Sequence, residues 1–167
     1  MGQEVRQPKQ ERSIKKKNEI VKAGFELFSE VGYYSTNTAE IAKRAGVSTG
    51  IEYGYFKDKR DILLDVLDIY IKSAFNPVLD SFNSFPDKVD SSFMSRIVDA
   101  AILSHEKNAN IHEALHSMSH SDEAINNKFM TLEDEITLTI ADKLSTIGVN
   151  KENLTEKVHF AMDIVQS

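Results

Sequence analysis

The sequence predicts an all-α fold, with an N-terminal three-helix unit holding a helix-turn-helix and a larger helical body behind it. Three observations carry this. Apolar residues recur at intervals of three and four, the spacing that lines one face of a helix. No stretch alternates apolar and polar residues over the length of a strand. Helix punctuation recurs too: Asn37 with Glu40 and Asn153 with Glu156 have capping-box spacing, and Gly32, Gly46 and Gly148 stand where apolar stripes stop.

Taken in order, residues 1–12 are polar and read as an arm, whose Arg6, Lys9 and Arg12 could reach phosphates. Lys15, Lys16 and Lys17 open the first helix, which buries Ile20, Ala23, Leu27 and Phe28 and ends at Gly32. Asn37 caps a second helix carrying Ile41, Ala42 and Ala45. Gly46 turns the chain, Val47 plugs the corner, and Ser48 or Thr49 opens a third helix. Asp58 and Asp61 start the next, with Ile62, Leu63, Val66, Leu67, Tyr70 and Ile71 on its apolar face. It should stop near Phe75, because Pro77 makes a helical Asn76 unfavourable. A short helical turn at Val78–Phe82 and a loop at Ser84–Asp90 should follow. Helices are then expected near 92–106, 111–120 and 123–147, the last on a stripe of Ile125, Phe129, Leu132, Ile136, Ile140 and Leu144. A final helix follows the Asn153–Glu156 box.

Composition narrows the function. The chain has 167 residues, 41% hydrophobic and 28% charged, enough to bury a core without disulfide or metal. It has no cysteine, which excludes thiol catalysis and thiolate metal sites. The net charge of −6 is unevenly divided. Residues 1–60 hold 12 Lys and Arg against 8 Asp and Glu, and residues 61–167 hold 8 against 18. A basic end on an acidic body is the charge footprint of a nucleic-acid binder. No apolar run nears the ~18 residues of a membrane span, and the N-terminus lacks a signal peptide's apolar core, so the expected location is the cytoplasm.

Two short helices around a glycine turn form a helix-turn-helix over residues 37–56. The second would enter a major groove, with the backbone N–H groups of Ser48, Thr49 and Gly50 near phosphates. Tyr53 and Tyr55 offer hydroxyls; Lys57 and Lys59 offer charge. These residues carry a resemblance. Ile20, Ala23, Leu27, Phe28, Gly32, Tyr33 and Thr36, then Ile41, Ala42, Ala45-Gly46-Val47-Ser48, Gly50, Tyr53, Tyr55-Phe56, Lys59 and Leu63, resemble the DNA-binding domain of the TetR (tetracycline-repressor-like) family. The resemblance covers residues 14–74 and implies DNA contacts from Thr38, Ser48, Thr49, Gly50, Tyr53, Gly54, Tyr55 and Lys59. It departs at Ile51 and Glu52, where the family has the reverse order of polar and apolar residues. Glu52 either closes a second capping box with Thr49 or sets a carboxylate near phosphates.

For residues 75–167 the resemblance implies a helical ligand-binding and dimerisation domain, with a further helix beyond Ser167. Tyr70, Phe93, Ile97, His105, His112, His116 and Phe129 are its candidate pocket residues, for a hydrophobic or aromatic effector. Leu154, Val158, Ala161, Met162 and Val165 form an apolar stripe without a partner late in the chain, the expected homodimer interface. One motif points elsewhere. His112-Glu113-Ala114-Leu115-His116 is an HExxH, with His120 four residues on, and would suit a small zinc-dependent hydrolase. It lacks a third carboxylate ligand on a plausible helix, and no strand is predicted to align a peptide. The sequence therefore favours a ligand-responsive, homodimeric repressor of a palindromic duplex operator, with no catalytic residue, metal or cofactor and no membrane partner.

Overall fold

Most of these helices begin and end through bonds that close within a few residues. The computed structural model describes residues 6–83 and 91–166. The expected loop at Ser84–Asp90 and the side chains of Arg6, Lys9, Glu52 and Val165 lie outside the described residues. The helices are α1 (Arg6–Val31), α2 (Thr38–Arg44), α3 (Thr49–Glu52), α4 (Lys59–Asn83), α5 (Ser91–Lys107), α6 (Ala109–Ser119), α7 (Glu123–Thr146) and α8 (Leu154–Gln166). No strand occurs among the described residues.

The α1 helix starts at Arg6, earlier than the arm expected over residues 1–12. Pro8 is no obstacle, because the first-turn N–H it lacks has no intrahelical acceptor anyway. At the other end Gly32 takes φ +86°, and its N–H closes onto the Phe28 carbonyl at 3.1 Å. Asn37 caps α2 in a complete capping box with Glu40. Gly46, at φ +68°, donates to Lys43 O and Val47 to Ala42 O, which satisfies carbonyls left over at the end of α2. Gly148 and Val149 end α7 in the same manner. Asp58 Oδ1 accepts from the Asp61 N–H at 2.9 Å and caps α4 as expected.

Two further boundaries differ from the sequence reading. Helix α4 does not stop near Phe75 but runs through Pro77 to Asn83. Pro77 cannot donate to the carbonyl of Ser73, four residues back. Ser104 of α5, itself buried, supplies the missing donor, its hydroxyl reaching Ser73 O at 3.3 Å and Ala74 O at 2.6 Å. The expected capping box at Asn153 is also not formed in the usual way. Asn153 adopts φ 51°, not the extended backbone of a capping residue.

The chain forms two compact units, Met1–Ile69 and Tyr70–Ser167. In the first, Ile20, Phe28, Ile41, Ile62, Leu63 and Val66 are wholly buried. Bonds on the surface tie its helices together. Arg44 grips Glu30 with two bonds of 2.9 and 2.8 Å, and that hydrogen bond holds the Glu30 carboxyl below its ordinary pKa. Lys17 pairs with Asp65 at 2.6 Å. In the second unit, Val78, Phe82, Phe93, Ile140, Ala141, Leu154, Val158 and Met162 form one core cluster. Two polar residues of α7, Glu133 and Thr137, are buried with them, which the apolar stripe did not foretell. Thr137 donates its hydroxyl to the Met162 sulfur at 3.3 Å.

Candidate nucleic-acid interface

The glycine turn after α2 sets α3 beside it and leaves its first residues open. Ser48, Thr49, Gly50 and Gly54 are all exposed, and a Cβ added at Gly50 would meet nothing within 4 Å. Helix α3 is a single turn that ends at Glu52. Tyr53 and Tyr55 therefore stand in the turn that follows, rather than on the helix itself. Tyr53 is 59% exposed, and its hydroxyl lies 3.3 Å from Thr38 Oγ1, so one hydrogen bond joins the two halves of the motif. Tyr55 is half-buried and accepts from the Ser13 hydroxyl at 3.2 Å. Phe56 between them and α4 is core. Thr38, Ser48, Thr49, Gly50, Tyr53 and Gly54 are thus gathered around one open corner of the N-terminal unit. The side chain of Glu52, on which the choice between cap and repulsion rests, lies outside the described residues.

Lys59 has an internal occupation. Its ammonium donates to Tyr33 O at 2.6 Å and to Thr36 O at 2.7 Å, and it lies 4.2 Å from the centre of the Tyr33 ring. Burial lowers its pKa from the ordinary lysine value, against an opposing pull from Glu40. Two of its three N–H donors are spent on the loop between α1 and α2, leaving one for a phosphate. The same loop exposes Tyr34, an aromatic side chain the sequence reading did not single out.

In the second unit Tyr70, Ile97 and His105 of the candidate pocket residues line a cavity of about 200 Å³, with Ala74, Phe75, Ala101 and Leu144 among its apolar walls. The other candidates do not line it. Phe93 is wholly buried in the core, His116 is exposed, and Phe129 is half-buried on α7. His112 sits behind the wall, its Nδ1 3.0 Å from the Tyr70 hydroxyl. Burial, with a smaller contribution from the Glu133 charge, raises the pKa of that phenol, so Tyr70 stays protonated. The HExxH does not assemble as a metal site: His112 faces inward to Tyr70, whereas Glu113 and His116 are exposed. Among the described residues no three His, Asp or Glu side chains are placed to hold a metal. Nor is any helix there long and apolar enough to cross a membrane.

The stripe expected at a dimer interface is divided. Leu154, Val158 and Met162 are buried in their own unit, and Ala161 is exposed beside the cavity. The large apolar side chains that α8 exposes are Phe160, at 66%, and Ile164, at 61%.

Comparison with known proteins agrees with this geometry. Residues 20–66, which span the helix-turn-helix, match the profile described as "Bacterial regulatory proteins, tetR family". The HTH-type transcriptional regulator HbdR of Aromatoleum sp. (strain CIB) is 49% identical over 59 residues, 33% of this chain and 26% of HbdR. The HTH-type transcriptional regulator BetI of Klebsiella pneumoniae (strain 342) is 34% identical over 83 residues, 50% of this chain and 43% of BetI. The chain thus matches less than half the length of these curated relatives. A solved structure from Mesorhizobium loti MAFF303099, assigned to the TetR family, superposes with a TM-score of 0.69 over 92% of this chain and 96% of its own. At 15% identity that likeness is one of fold.

Proposed function

We propose that this chain, which belongs to the TetR family of bacterial regulatory proteins, is a cytoplasmic DNA-binding transcriptional regulator, a repressor relieved by a small molecule. The observation that carries the reading is the match of residues 20–66, which contain the whole helix-turn-helix. The open corner of Thr38, Ser48, Thr49, Gly50 and Tyr53 supports it, since small side chains let backbone approach phosphates while tyrosine hydroxyls reach them or base edges. The reading assigns no enzymatic role.

Titration of the full chain with a duplex from directly upstream of its own gene tests this. Saturable binding should exceed that of a base-shuffled duplex by about 10³ or more, and its logarithm should fall linearly with log salt. Equal affinity for both duplexes would remove the regulatory reading.

A single helix-turn-helix reads too few base pairs, so the operator is palindromic, with half-sites about 34–36 Å apart for a homodimer. Because Leu154, Val158 and Met162 are used internally, Phe160 and Ile164 are the side chains of α8 offered to a second copy. Charging both, as Phe160→Glu with Ile164→Glu, should give a monomer in sedimentation at micromolar concentration. A double variant that stays dimeric would exclude this face.

The effector occupies the cavity beside Tyr70 and weakens operator binding. Helix α4 is one continuous element that holds Lys59 at its start and Tyr70, Ala74 and Phe75 further on, which gives the two sites a shared mechanical part. Coupling of this kind is reciprocal, so saturating operator must lower effector affinity by the factor by which effector lowers operator affinity. Effector affinity that is the same with and without operator would leave a DNA-binding protein without a sensor.

A further inference from the structure

We infer that Ser13 of α1 is a positioning residue for duplex binding: its hydroxyl engages the Tyr55 hydroxyl as an acceptor and leaves the phenolic hydrogen to be donated to a phosphate oxygen. The inference rests on the reading of the open corner as a duplex-binding surface, and it names a residue outside the helix-turn-helix that sets the chemistry there.

The first observation is where the Ser13 hydroxyl goes. A serine inside a helix commonly donates back to a carbonyl of the preceding turn. Ser29 of the same helix does so, to Phe25 O at 2.8 Å. Ser13 instead donates to Tyr55 Oη, 42 residues on, at 3.2 Å. The bond is therefore no local satisfaction of α1 but a tie from that helix to the turn after α3.

The second is that the tie is held in place by more than itself. Residues four apart on a helix are neighbours on its surface. Lys17, four residues after Ser13, pairs with Asp65 at 2.6 Å, and its ammonium lies 5.4 Å from the centre of the buried Phe56 ring. One face of α1 thus meets Tyr55, Phe56 and Asp65 together. Tyr55 is half-buried, while Tyr53, Gly54 and Lys57 around it are exposed, so its hydroxyl is anchored at the rim of the open corner.

The third concerns the direction of the bond. A phenol carries one hydrogen and also accepts, whereas a phosphate oxygen only accepts. Once Tyr55 Oη accepts from Ser13, its hydrogen is what it can offer to a partner, and no acceptor among the described residues takes it. Accepting one bond also polarises a hydroxyl toward donating the next. Fixing that direction before DNA arrives lowers the ordering cost of the contact. Tyr53 lacks this polarity, because either it or Thr38 can be the donor of their shared bond.

The test is titration of the full chain with the upstream duplex and its base-shuffled counterpart at about 50 mM salt, where phosphate contacts dominate. Ser13→Ala should bind both duplexes about fivefold more weakly. Its unfolding midpoint should be no lower, since alanine is the better helix former, and its salt slope unchanged, since no cation is lost. Ser13→Thr keeps the hydroxyl and should stay within about twofold of wild type. In a Tyr55→Phe background, Ser13→Ala should cost less than about twofold more, because the group it positions is gone. Wild-type affinity in Ser13→Ala or in Tyr55→Phe, a Ser13→Thr as weak as Ser13→Ala, or an equal Ser13→Ala loss with and without the Tyr55 hydroxyl would each overturn the inference. So would a salt slope lower by about one unit, which would trace the loss to a neighbouring lysine. Phosphates are common to both duplexes, so equal wild-type affinity for the two would remove the regulatory reading while the cycle still decides Ser13. A preference for the upstream duplex with no effect of Ser13→Ala would do the reverse, and no binding of either duplex would overturn both.

Discussion

Lys59→Ala is expected to destabilise the N-terminal unit by about 2 kcal/mol, and to weaken duplex binding mainly for that reason. The ammonium bridges two carbonyls of the α1–α2 loop, Tyr33 O and Thr36 O, and covers the face of the Tyr33 ring. Thr36 is only 3% exposed, so its neighbourhood has little water to offer as a substitute. Alanine removes two charge-assisted bonds and frees the loop that enters the helix-turn-helix. A simple phosphate contact predicts something else: an unchanged unfolding midpoint, with the salt slope of duplex binding reduced by about one unit. The two accounts are separated by measuring both quantities on the same variant. A wild-type midpoint with the lower slope would dismiss the internal role and restore Lys59 to the phosphate contacts.

Gly24→Leu should be more damaging still, by about 3 kcal/mol, with duplex binding lost in step. Helix α1 passes so close to α4 at this residue that a Cβ would lie 2.8 Å from Ile62 Cγ2 and 3.4 Å from Val66 Cγ2. Both neighbours are wholly buried and β-branched, so neither can swing aside without leaving its preferred rotamer. Gly24→Ala sets the same clash against a gain of about 1 kcal/mol in helix propensity and should be far milder. Chemical denaturation of the three proteins gives the comparison directly. A leucine variant as stable as wild type would mean that α1 and α4 are not held at this distance.

Both residues show where sequence reading stopped. Gly24 lies within a helical stripe and carries no local signal, because its requirement is set by Ile62 and Val66, about forty residues away. Lys59 fits the family pattern equally well as a phosphate contact or as a loop clamp. Distances decide between these uses, and they depend on packing.

Features that close over a few residues can be read from the chain directly. The all-α class, the Asn37–Glu40 box, the Asp58 cap and the glycine stops at Gly32, Gly46 and Gly148 all rest on bonds between residues at most five apart, so their pattern is written in adjacent letters. The resemblance to the TetR family, too, is legible there, since the match is concentrated in residues 20–66. The tertiary structure alone decided the rest. Pro77 argues locally for a helix end, yet α4 continues because a hydroxyl thirty residues on, at Ser104, caps the carbonyls around the break. The stripe of Leu154, Val158 and Met162 reads as a free face until a core is found to cover it. His112 and His116, one motif in sequence, keep neighbouring rings on α6, with centres 6.2 Å apart, yet only the first is buried. One turns to Tyr70 and the other to water. A side chain's chemistry is fixed by its type, but whether that chemistry faces solvent, a cavity or another helix depends on which distant residues fill the space around it.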